Sequence, residues 1–148
     1  WLADGRASPT ANVKYYRRGN CPIPLQRGWN LIGIPLELSA KECLKLQEKH
    51  CILANNTGYC SPEKLGRCGQ VLWIFSPEDD CLLLTGLEPF ERGVQPLSKA
   101  GWEAVAFVGL QENMRLKTTE TFWTWENNCY RLATQLQPGI GYWQFQLP

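Results

Sequence analysis

Apolar residues crowd or alternate in two stretches that open alike, Gly28-Trp29-Asn30-Leu31-Ile32-Gly33-Ile34-Pro35-Leu36 and Gly101-Trp102-Glu103-Ala104-Val105-Ala106-Phe107-Val108-Gly109-Leu110. Each is punctuated by Gly at its start and by Pro or Gly near its end, the pattern of a strand between turns. Leu72-Trp73-Ile74-Phe75, the polar turn Ser76 to Asp80, and Cys81 to Thr85 predict a β-hairpin. Phe122 to Trp125, the turn Glu126-Asn127-Asn128, and Cys129 to Ala133 predict a second, tighter one. Pro89 and Pro138 end these hairpins. Gly139 and Gly141 accept positive φ, so the chain is expected to reverse before a last strand from Tyr142 to Leu147.

These elements repeat. With Val71 to Gly93 written above Thr121 to Gly141, Trp73 falls on Trp123, Phe75 on Trp125, Cys81 on Cys129, Leu84 on Leu132 and Pro89 on Pro138. The expected organisation is an extended N-terminal arm over 1–24, a first β unit over 25–98 and a second over 99–148. The fold class that follows is mainly β, a duplicated β-sandwich or barrel-like domain. Trp29, Trp73, Trp102, Trp123 and Trp143 sit at repeat or motif positions and are expected in its core, which leaves Trp125 and Trp1 as candidates for exposure.

The first unit differs by an insert over 37–70. Ser39 with Glu42 three residues on is a capping-box pattern, and helix formers without Pro or Gly run from Ala40 to Cys51. The insert also holds Cys43, Cys51, Cys60 and Cys68, and the chain has seven cysteines with Cys21, Cys81 and Cys129. None forms C-x-x-C, which argues against zinc ribbons, thioredoxin chemistry and attached haem. The reading is a disulfide-stapled helical insert in an oxidising compartment, with the pairing open and one cysteine left over. Cys81 and Cys129 hold equivalent places and would pair only where the units bring their strands together. Free, buried cysteines in a cytosolic protein are the alternative. Asn55-Asn56-Thr57 is an N-glycosylation sequon, with Asn55 as the acceptor in a secreted chain.

Charge and chemistry narrow the classes. Fifteen basic and fourteen acidic residues leave a net charge of +1, so no broad field recruits nucleic acid or an anionic membrane. No apolar run reaches the roughly 18 residues of a membrane span. The chain starts with Trp1, and the expectation is a mature or excised product whose targeting segment is gone. His50 is the single histidine, which removes multi-histidine metal sites and places any triad on one imidazole. Glu78, Asp79 and Asp80 crowd one turn, an arrangement for solvation rather than for flanking a scissile bond. No phosphate loop, calcium loop, metal cluster or cofactor pattern is present, and the chain is read as a non-enzyme. Seven tryptophans and five tyrosines suit sugar stacking, with Trp125 and Tyr130 the candidate ligand-binding residues.

The order G-W-N-L-I-G-I-P, an aromatic hairpin, then Leu136-Gln137-Pro138-Gly139-Ile140-Gly141-Tyr142-Trp143 resembles a small β module of bacterial and archaeal secreted or cell-surface proteins. The match is best over Gly28 to Pro35 and Thr121 to Trp143. The chain departs from it through the insert and through Leu87 to Val94, where the closing motif is degraded. The resemblance implies an extracellular, non-catalytic structural or protein-interaction module, part of a cell-surface assembly, with other protein chains or copies of itself as partners. The alternative is a carbohydrate-binding module that uses exposed aromatics.

Overall fold

The alternation in Asn20-Cys21-Pro22-Ile23-Pro24-Leu25 turns Cys21, Ile23 and Leu25 to one face, and all three are buried. This periodicity of two governs most of the described elements. The computed structural model describes residues 17–54, 65–98, 100–110, 114–117 and 119–148, with only the backbone of His50. In chain order the elements are β1 (Arg17–Leu25), β2 (Gly28–Gly33), β3 (Glu37–Leu38), α1 (Ala40–Glu48), β4 (His50–Ala54), β5 (Val71–Ser76), β6 (Asp80–Glu88), β7 (Gly93–Val94), β8 (Gly101–Val108), β9 (Met114–Arg115), β10 (Phe122–Glu126), β11 (Cys129–Leu132), β12 (Gln135–Leu136) and β13 (Gly141–Gln146). The protein is mainly β, as its pattern predicts, and no described sheet closes on itself. Arg17 to Leu25, within or next to the expected arm, pairs along its whole length with β6.

The strands form sheets in the orders β1-β6-β3, β2-β5-β4 and β11-β10-β13-β8-β7, with a small β12-β9 pair. Three apolar layers hold them. Ile23, Leu25, Leu82 and Leu84 of the first sheet meet Ile32, Leu53, Leu72 and Ile74 of the second, with Leu46 of α1 beside them. The other face of that second sheet presents Leu31, Ala54, Val71 and Trp73 to Ala104, Ala106, Trp125 and Trp143 of the five-stranded sheet. Behind the latter, Val105, Phe107, Phe122 and Tyr142 are covered by Val94, Leu97, Met114, Leu116 and Leu136.

The first expected hairpin does not form. β5 and β6 lie in different sheets, because β5 takes β2 and β4 as neighbours while β6 takes β1 and β3. The second hairpin is as read: Asn127 and Asn128 both adopt positive φ, 50° and 59°, in a two-residue turn between Glu126 and Cys129. The strand register also follows another frame than the sequence alignment. Trp29 lies opposite Phe75 and Leu31 opposite Trp73, as Trp102 lies opposite Phe145 and Ala104 opposite Trp143. Trp73 thus shares its place with Trp143, not Trp123, and Trp123 shares its place with Ile52, which faces Trp73 from β4. β2-β5-β4 and β8-β13-β10 are two three-stranded sets of the same order and register. Each central strand is entered through the same turn, Arg67 to Gln70 and Gln137 to Ile140, with φ of 86° at Gly69 and 87° at Gly139.

Corresponding positions touch across the middle layer. A Cβ on Gly33 would meet Ala106, its counterpart, and the Ile140 carbonyl at 2.7 Å; a Cβ on Gly141 would meet Val71, its counterpart, at 2.6 Å. Small residues therefore set the approach of the two sheets, and Gly141 serves this contact rather than the turn. The Gly33 N–H donates to the Gly139 carbonyl at 3.1 Å, beside a bridge between Ile32 and Ile140. The two glycine-punctuated motifs thus meet in space.

The helix starts as predicted and stops early. Ser39 caps it by accepting from the Glu42 N–H at 3.4 Å. Glu42 does not reach back to complete the box. It turns into the fold, accepts from the Thr85 N–H at 3.1 Å and pairs with Lys45 at 2.6 Å. The Lys45 contact is the main reason its carboxyl lies below the usual range. His50 and Cys51 belong to β4, whose five register pairs with β5 outweigh local helix propensity. Among the described residues no helix is long and apolar enough to cross a membrane.

Candidate binding groove

In an antiparallel sheet, residues directly opposite each other share a face. Trp102 with Phe145, Ala104 with Trp143, Trp143 with Trp123, and Trp125 with Tyr130 therefore put their side chains on one face of the five-stranded sheet. The half of that face near Ala106 and Gly141 is pressed against β2-β5-β4. The other half extends beyond it. Trp102, Trp143, Trp123 and Tyr130 run diagonally across four strands there and line an open groove of about 510 Å³.

Ring contacts hold the walls. Trp102 packs on Phe145 with centroids 5.2 Å apart, and Tyr130 meets Trp125 edge to face at 4.9 Å. Trp102 and Tyr130 are 50% and 51% exposed, large apolar areas for a monomer to leave in water. The lining is aromatic, with no charged side chain among its described residues. The Trp143 indole N–H is buried without a hydrogen-bond partner among the described residues.

Of the two residues read as ligand-binding, Tyr130 stands in the groove. Trp125, on the same face, is half-buried where that face is covered by β2-β5-β4: its ring meets Trp73 edge to face at 5.4 Å, and its Nε1–H donates to the Trp29 carbonyl at 3.0 Å. It is a packing residue of the middle layer. Trp102, Trp123 and Trp143, expected in the core, are the lining that the sequence reading missed, and Trp29 is likewise exposed at 42%. Alternation shows which residues share a face. It does not show how far the opposing sheet reaches, and that decides which tryptophans stay uncovered.

The described cysteines are all free thiols. Cys21 is buried on β1, and burial pushes its thiol up to about 11. Cys68 lies in the turn before β5, where burial raises it to about 12. Cys43 of α1 sits against Gly66, and the Cys51 thiol donates to the Leu46 carbonyl at 2.9 Å; burial raises both. Cys81 and Cys129 are exposed, on β6 and β11 of separate sheets, so their strands do not meet. Cys60 and Asn55 lie outside the described residues. The disulfide-stapled insert thus has no bond among the described cysteines.

The acidic turn is engaged structurally. Asp79 accepts from the Arg27 N–H at 2.8 Å, and Lys49, 2.8 Å from Asp80, is the main reason the Asp80 carboxyl lies below its usual range. Glu88 accepts from the Leu110 N–H at 3.0 Å and tethers β6 to the end of β8. No group of three metal-ligating side chains occurs among the described residues. No family model matches the chain, and no curated protein or solved structure matches it either.

Proposed function

We propose that the protein is a non-catalytic, extracellular interaction module that holds another protein chain in the groove of Trp102, Trp123, Tyr130 and Trp143. The observation that carries this reading is the groove itself, an open aromatic surface of about 510 Å³ on the uncovered half of a sheet. Protein interfaces concentrate Trp and Tyr in such desolvating pockets and leave charge to the rim. The extracellular placement rests on the resemblance to the surface module. We further read the two three-stranded sets as a duplication, supported by their common order, register and entry turns.

The second reading, a carbohydrate-binding module, is favoured by exposed Tyr130 and the flat indole of Trp123. Against it, a sugar ring stacked there needs polar side chains for its hydroxyls, and the groove lining offers few. A displayed-peptide library and a glycan array, probed with the wild type and with Trp123→Ala, test the two. Peptides that depend on Trp123 are the expected result; glycans that depend on it, without peptides, would overturn the protein-interaction reading.

A further inference from the structure

The two three-stranded sets should present the same surface to each other, and at one place they do not. Trp125 lies on Trp73 and donates its indole N–H to the Trp29 carbonyl, which fills the space above the first set. Extending the β10–β13 register by two residues sets Trp125 opposite Gly141, the counterpart of Val71. The residue opposite Val71 is Ala54. Where the second set sends an indole onto the first, the first returns a methyl group.

What remains uncovered is the reciprocal site. Trp143 takes the place of Trp73, and Trp102 that of Trp29. The Gly33 N–H and the Trp29 carbonyl, on alternate residues of β2, both bond away from β5. The same register turns the Trp102 carbonyl away from β13, at a level that β7 does not cover, since β7 pairs only with Phe107 and Val108. Trp143 belongs at once to the groove and to the middle layer, so the groove continues an interface built inside the molecule.

We infer that the groove receives a tryptophan side chain from a partner polypeptide, its ring against Trp143 and its indole N–H on the Trp102 carbonyl. This rests on the protein-interaction reading and names its chemistry. The internal pair is the pattern for it: edge-to-face rings at 5.4 Å and an N–H to carbonyl bond of 3.0 Å. A leucine in the same place would fill volume. It would supply neither the donor nor the edge-to-face ring contact.

The test is a titration of ¹⁵N-labelled protein, followed at the seven indole N–H signals, with N-acetyltryptophanamide and in parallel N-acetylleucinamide and cellobiose. The tryptophan amide is expected to move the Trp102, Trp123 and Trp143 signals at about tenfold lower concentration than the leucine amide. Ala54→Trp, which supplies the missing indole from within, is expected to abolish the response. Should that variant not fold, Tyr130→Ala at the groove's edge is expected to weaken binding severalfold. Equal response to both amides, or an unchanged response in a folded Ala54→Trp protein, overturns the inference. Groove-binding library peptides without tryptophan would overturn it too, yet leave the protein-interaction reading standing. Response to cellobiose alone overturns both.

Discussion

The sheet β2-β5-β4 and its counterpart β8-β13-β10 share register, yet their outward faces are closed in different ways. Behind the first stands a whole sheet, β1-β6-β3, whose Ile23, Leu25, Leu82 and Leu84 interleave with Ile32, Leu72 and Ile74. Behind the second stand the two-residue strands β9 and β12 and the apolar side chains of Val94, Leu97 and Leu116. Thirteen buried apolar residues form the first core and five the second, among those described. The lesson is that a common pairing pattern fixes the surface each strand offers, while the covering segments fix how much of it leaves water. The first set is the more self-sufficient, and the second depends on the layer they share.

The largest expected effect breaks that first core. Leu84 is fully buried, and Leu84→Ala should cost about 4 kcal/mol, from lost burial plus the cavity left in a layer walled by two sheets. Leu136→Ala, equally buried but under short segments that close in on the gap, should cost about 2 to 3 kcal/mol. Urea unfolding of both variants makes the comparison, and equal losses would remove the claimed asymmetry.

Next comes the shared layer. Trp125→Ala removes a half-buried indole that carries two ring contacts and one hydrogen bond, at an expected cost of about 2 to 3 kcal/mol. The variant should also uncover Trp73, so that N-acetyltryptophanamide binds a second site at the Trp29 and Trp73 signals. A loss of stability without that second site would mean that the two surfaces are not equivalent.

Much of this was legible along the chain. Strands at Gly28 and Gly101, the Asn127-Asn128 turn, the Ser39 cap and the final strand follow from local pattern, because each is fixed by residues next to one another. The pairing of β5 was not. Its neighbours β2 and β4 are selected by long-range burial, and a short polar turn such as Ser76 to Asp80 serves a crossing between sheets as well as a hairpin. The frame of the sequence alignment was not that of the strand pairing: two Trp-rich strands, β10 and β13, compete in the sequence to be the match of Trp73, and register pairing selects Trp143. The groove escaped for a related reason, since Trp102, Trp123 and Trp143 bear the same pattern as a core tryptophan.

A subtler effect concerns the second core alone. The Tyr142 hydroxyl accepts from the Gln137 N–H at 2.9 Å inside it, and burial raises its pKa from 10.0 to about 12. The folded state then keeps a proton that the unfolded chain loses, so this contribution is complete below pH 10 and vanishes as pH rises through 12. Cys21 and Cys68 act in the same direction from pH 9.0 upward, on the first core and its approach turn. Tyr142→Phe should cost about 1 to 2 kcal/mol at neutral pH through the unpaired N–H. It should also flatten the part of the alkaline decline between pH 10 and 12, read as Tm against pH. A decline identical to that of the wild type would assign the alkaline sensitivity to the thiols.

The smallest effects lie at the surface, where the comparison is sharpened by reactivity rather than stability. Cys81 faces outward from β6, and Cys129 lies beside the Asn127-Asn128 turn on the open β11 edge of the five-stranded sheet. Both thiols are exposed, so iodoacetamide at mildly alkaline pH should label them first, followed by half-buried Cys43 and Cys51. Cys21 and Cys68, whose thiolates burial disfavours most, should react last. Replacing Cys81 or Cys129 by Ser should change stability by less than about 0.5 kcal/mol, because neither side chain fills a core. Peptide mapping after timed labelling gives the order. Register sets Cys81 opposite Pro24 and Cys21 opposite Leu84, and alternation then points the first thiol to solvent and the second into the core, so they do not face each other. If Cys81 and Cys129 proved unreactive and linked to each other, β6 and β11 would have to lie side by side. The separate sheets on which the comparison stands would then be wrong.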